Sequence, residues 1–100
     1  MACVYVLYSR LIDRHYIGST EDPEERLKKH LTGYYPKGYT TKASDWEIFM
    51  LINCSSRTQA RSIEAHIKRM KSVKYIHNLI LYPQMVLRLL EKYQERGRSR

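Results

Sequence analysis

At 100 residues the chain has the size of one domain with one modest core, and a 43% hydrophobic content excludes a disordered polyelectrolyte. No apolar run is long enough to span a bilayer, and the first residues read as a strand rather than a leader, so the expected location is cytoplasmic. Eighteen Lys and Arg against ten Asp and Glu leave a formal charge of +8 and a pI near 9.7; this favours a polyanionic partner, nucleic acid before a membrane surface, and names no reaction.

Cys3 to Tyr8 is an unbroken apolar and β-branched run, which predicts a central strand covered on both faces. Ser9 to Arg14 interrupts it as a hairpin turn, and His15 to Gly18 is the predicted return strand. Pairing the two brings Tyr5 and Tyr16 to the same part of one small sheet, either as core aromatics or as a pair of functional phenols. Asp22 then predicts a helix N-cap, with Pro23 in the first position and Glu25 closing a capping box. Leu27 and Leu31 are predicted to face the core, Arg26 and His30 share the neighbouring face, and Gly33 is the predicted stop.

Gly33 to Asp45 is a predicted loop whose tyrosines, lysines and threonines suit contact with a nucleic-acid strand. Trp46 to Cys54 predicts a third strand, buried over most of its length. Ser56 and Gln59 form a second capping-box pattern, followed by a core stripe of Ala60, Ile63, Ile67 and Met70. Beside that stripe run Arg57, Arg61, Glu64, Lys68 and Lys71. Glu64 is the only carboxylate from Arg57 to Lys74, among six basic residues. It reads either as the acid of a surface ion pair with Arg61 or Lys68, or as a metal ligand on a phosphate-facing surface. Ser72 to Leu81 predicts a short helix with Ile76, Leu79 and Ile80 apolar, broken at Tyr82-Pro83. Met85 to Arg96 predicts a last amphipathic helix with Val86, Leu89, Leu90 and Tyr93 on one face. Cys3 and Cys54 lie in no C-x-x-C, and His15, His30, His66 and His77 have no zinc-like spacing with them.

In this order the segments resemble the GIY-YIG nuclease superfamily, and look like its small stand-alone bacterial proteins. Cys3-Val4-Tyr5 stands for G-I-Y with only the tyrosine kept, and Tyr16-Ile17-Gly18 matches Y-I-G. Arg26 and His30 match the family's arginine and histidine on the first helix, and Glu64 matches its glutamate on the second long helix. The resemblance covers Cys3 to about Ile80. It implies an α+β fold, a small three-stranded antiparallel sheet flanked by helices. Residues 1–83 would form the nuclease domain, and 84–100 a C-terminal amphipathic helix and basic tail packed on the same domain.

The resemblance also implies an endonuclease hydrolysing DNA phosphodiester bonds with Mg²⁺ or Mn²⁺. Its substrate would be duplex, branched or flap DNA, chosen more by structure than by sequence, in a role such as DNA repair. Glu64 would hold the metal, Arg26 the scissile phosphate, and Tyr5 would be the general base with Tyr16 supporting it. His30 would position or activate the water or the tyrosine. Lys28, Lys29, Lys37, Thr41, Lys42, Arg61 and Lys68 are expected on the nucleic acid, and Asn78 is the candidate for the family's late asparagine. Two other readings stand beside this one: a non-catalytic nucleic-acid-binding module on a nuclease scaffold, and an interaction subunit docking through the last helix. A monomer, or a weak dimer through that helix, is the expected state.

Overall fold

The computed structural model describes residues 2–32 and 39–94, with backbone only at 39 and 40. Lys37 and the predicted helix stop Gly33 lie outside the described residues. Strands β1 (Cys3–Ser9), β2 (Arg14–Thr20) and β3 (Glu47–Asn53) form one antiparallel sheet in the order β2-β1-β3. The first strand is central, as its continuous apolar run requires. Val4 and Val6 point to one side and are fully buried with Ile63 and Ile67. Tyr5 and Leu7 point to the other and pack with Trp46. A register shift after Val6 leaves Phe49 as the extra residue of a β-bulge in β3. β3 is less buried than predicted: only Ile52 within it is fully covered, and the buried Trp46 and Cys54 flank it.

The β1–β2 turn is held from a distance. Asp45 accepts from the Ser9 hydroxyl at 2.5 Å and from the amides of Arg10 and Leu11 at 3.1 Å. The Ser9 hydrogen bond, joined by those amides, holds the Asp45 carboxyl below the usual range. Asp13 adopts φ 53°, a left-handed conformation that Asp tolerates better than most residues.

Helix α1 (Pro23–Leu31) begins at the Asp22 cap, whose side chain accepts from the Glu25 amide. The return half of the predicted capping box is absent: the Asp22 amide donates to the Thr20 hydroxyl, and Glu25 pairs with Lys29 at 3.7 Å. A 3-10 turn at Tyr39–Lys42 packs against α1. On the other face, α2 (Arg57–Met70) lies against β2 and β1 with Ala60, Ile63 and Ile67 buried. It ends at Lys71 in a left-handed conformation, φ 48°. Helices α3 (Val73–Leu81) and α4 (Pro83–Lys92) complete the fold. α4 starts earlier than predicted, with Pro83 in its first turn. Gln59 ties it to α2 by donating to the Leu90 carbonyl at 2.9 Å, and Leu89 enters the core.

Two predicted core residues are instead exposed, Leu31 at 40% and Met70 at 44%, and Ile80, read as apolar, is 43% exposed. On α1, His30 is the buried residue in place of Leu31. Among the described residues no helix is long and apolar enough to cross a membrane.

Candidate active site

β1 alternation sends the Tyr5 side chain toward α1. There the Tyr5 hydroxyl and His30 Nε2 share a hydrogen bond of 3.1 Å, with both residues almost fully buried. Tyr16 lies opposite Leu7 in β2 and so emerges on the same face. Its ring centre is 6.3 Å from that of Tyr5 and 5.0 Å from that of His30, edge-on to the imidazole. Burial pushes the His30 pKa below the ordinary imidazole value, and the positive charge of Arg26 one turn earlier adds to the shift. The imidazole in this group is therefore the neutral form near pH 7. The two phenols and the imidazole are thus together on the α1 face, with Arg26 near enough for its charge to act on His30.

Glu64 arrives from the opposite face, on α2. Its Oε1 accepts from the Ser19 hydroxyl at 2.7 Å, and Lys68 Nζ stands 2.8 Å from Oε2. The ion pair goes to Lys68, and Arg61 stays outside it. Ser19 is nearly buried and the Glu64 side chain is 21% exposed, so the carboxylate is partly exposed with one oxygen held by Ser19 and the other paired with the half-exposed Lys68 ammonium.

Gly18 joins the two halves. Tyr5 pairs with Gly18 across the strands, and a Cβ built on Gly18 would sit 2.5 Å from the Tyr5 hydroxyl oxygen. The phenol therefore lies directly over the glycine, while the next residue, Ser19, holds Glu64 from the other side. What Gly18 supplies is space for the tyrosine, and the carboxylate meets the next residue of the same strand. In the sequence Gly18 stands as a strand end and as the last residue of the Y-I-G match, while Ser19 carries no expected role. A hydroxyl beside a strand glycine carries no signal of its own until α2 is placed over it.

Of the other predicted residues, Lys28 is exposed on α1, and Thr41 and Lys42 are exposed on the adjoining 3-10 turn. Lys29 is half-buried on α1. Arg61 and Lys68 are exposed on α2. The helices α1 and α2, which carry Lys28, Lys29, Arg61 and Lys68, each contact β2, from opposite faces of the sheet. Asn78 is half-buried on α3, and its side chain makes no hydrogen bond among the described residues, so it is not joined to the five. Among the described residues no three His, Cys, Asp or Glu side chains gather as a metal-binding group. The donor set that is present suits a hard cation on one carboxylate oxygen. Glu64 Oε2 already faces a positive charge, the Lys68 ammonium, which is half-exposed on a flexible stem. Mg²⁺ commonly takes one or two protein carboxylates and fills its shell with water and phosphate oxygens.

A family model described as the GIY-YIG catalytic domain matches residues 1–75. Comparison with curated proteins and with solved structures finds no match.

Proposed function

The chain belongs to the GIY-YIG family of nuclease domains, and from that membership we propose that it is a divalent-metal-dependent DNA endonuclease selecting substrates by structure. The endonuclease class and its DNA substrate follow from the family. Metal dependence, substrate form and the residue roles are our reading. The observation that carries them is the Gly18–Ser19 junction, where the Tyr5 hydroxyl and the Glu64 carboxylate meet adjacent residues of β2.

In this reading Glu64 is the protein ligand of Mg²⁺ or Mn²⁺, with Ser19 fixing one carboxylate oxygen and the ion taking the place of the Lys68 ammonium at the other. When bound, the ion acts as a Lewis acid and offsets charge growing on the phosphoryl oxygens. Arg26 binds the scissile phosphate through its guanidinium, which suits planar, two-pronged contact with phosphate oxygens. Between the phenols the roles divide by burial. Tyr16 is half-buried and meets the attacking water; Tyr5 is 1% exposed and acts as a positioning residue with His30 behind it. This reverses the order expected from the sequence, which made Tyr5 the base. Lys28, Lys29, Lys42, Arg61 and Lys68, with the Thr41 hydroxyl, hold the DNA backbone in register.

The test is a cleavage panel over duplex, single-stranded, flap and branched DNA with and without Mg²⁺. Cleavage should require the ion, and Glu64→Gln should reduce it to background while retaining most DNA binding. Equal loss of binding and cutting in Glu64→Gln would remove the metal-ligand role, and metal-free cutting would remove metal dependence.

A further inference from the structure

A cleft of about 470 Å³ lies between β2 and the α2–α3 junction, within the roughly 300–1,000 Å³ typical of small-ligand pockets. Its floor is aliphatic, with Ile17, Ile67 and Ile76, Val73 stands exposed at its edge, and its rim carries Arg14, Lys68 and Lys71. The cleft meets the candidate active site at two points. Tyr16 lines it, and Lys68 is the cation paired with Glu64. Asp13 is the one carboxylate among the residues lining it, and its Oδ1 accepts from the Tyr8 hydroxyl at 2.7 Å. An apolar floor under a cationic rim matches a nucleotide: a flat base with apolar faces, flanked by phosphates.

We propose that this cleft receives one unpaired base of the DNA strand being cut, with the adjoining phosphates on Arg14, Lys68 and Lys71. The inference rests on the DNA-cleaving reading above and extends it to the origin of structure selectivity. Aliphatic side chains accept the face of any base without reading its edge, so the cleft confers no sequence preference. A base stacked in a duplex enters only after extrusion, at an energetic cost that falls away for a flap or single strand. DNA with an unpaired nucleotide beside the scissile phosphate is therefore the favoured substrate.

The experiment places 2-aminopurine, a fluorescent adenine analogue, at the unpaired position of a flap DNA. The flap is titrated with Glu64→Gln protein so that no strand is cut during the measurement. Saturable fluorescence change is expected. It should be lost on adding Val73→Glu, which sets a carboxylate in the cleft from a position already 58% exposed and so outside the core. Flap affinity should fall about tenfold in that variant. A flap abasic at the same position should bind both proteins alike. Absence of a fluorescence change, its survival in Val73→Glu, or equal binding of abasic and base-bearing flaps by Glu64→Gln would overturn the proposal. The fluorescence result stands whether or not the native protein cuts. Failure of the native protein to cleave any DNA would separately sink the nuclease reading.

Discussion

The tightest packing constraint described in the site is at Gly18. A methyl there would meet the Tyr5 oxygen at 2.5 Å and Cζ at 2.6 Å, and the buried ring has little room to yield. Gly18→Ala should therefore destabilise the domain by about 1–3 kcal/mol, the usual penalty of overpacking, and should weaken cleavage further by shifting the phenol from His30. Urea unfolding measures the first effect, and wild-type stability would mean that Tyr5 does not lie over this residue. The two tyrosines are separable by the same logic. Tyr16→Phe should lower kcat by about 10²-fold or more, the lower end of what a positioned proton acceptor contributes. Tyr5→Phe should cost less in kcat and more in stability, because it leaves a buried imidazole nitrogen without its hydroxyl partner. Single-turnover rates beside melting curves distinguish them, and the opposite order would return the base to Tyr5.

At the level of elements, local signals proved the most readable. Asp22 and Ser56, the two expected caps, each bond through the side chain to the amide three residues on, a contact made within one turn and so visible in the chain itself, and Ser72 caps α3 in the same way. Burial at helix ends was not readable. Leu31 and Met70 close their helices and Ile80 is next to last in its own. Periodicity assigns such residues to the apolar face, yet the neighbouring layer ends before it reaches them. The α2 terminus offers its own test. Lys71 holds φ 48°, where a Cβ is strained at about 1–2 kcal/mol. Lys71→Gly should raise stability by up to about 1 kcal/mol, seen as an increase of several degrees in Tm. A lower Tm would show that the lysine side chain stabilises the junction more than its backbone strains it.

For the whole molecule, the histidines set the response to acid. Burial lowers the pKa of His15, His30 and His66 from the ordinary 6.5, and the neighbouring charges of His77, of Arg26, and of Lys92 and Arg69 respectively add to it. A group whose folded pKa is depressed binds fewer protons in the fold than in the unfolded chain. Stability is then whole above pH 6.5 and is lost as pH falls toward the folded values. Thermal melts from about pH 8 to about pH 5 should show Tm falling below neutrality, with a smaller fall in His30→Gln. A Tm that stays flat across this range would mean that these rings are already solvated in the fold.

What the chain determined alone were its short-range contacts: the buried central strand, the hairpin that brings Tyr5 near Tyr16, the caps, and the Arg26–His30 face. Each depends on residues a few positions apart, where pattern and propensity act directly. Packing decided the rest. Ser19 and Glu64 lie 45 residues apart and Ser9 and Asp45 lie 36 apart, and such pairs meet only once both faces of the sheet are covered. The separation of the phenols into a half-buried Tyr16 and a buried Tyr5 has the same origin, because exposure belongs to the assembled layers and to no residue by itself.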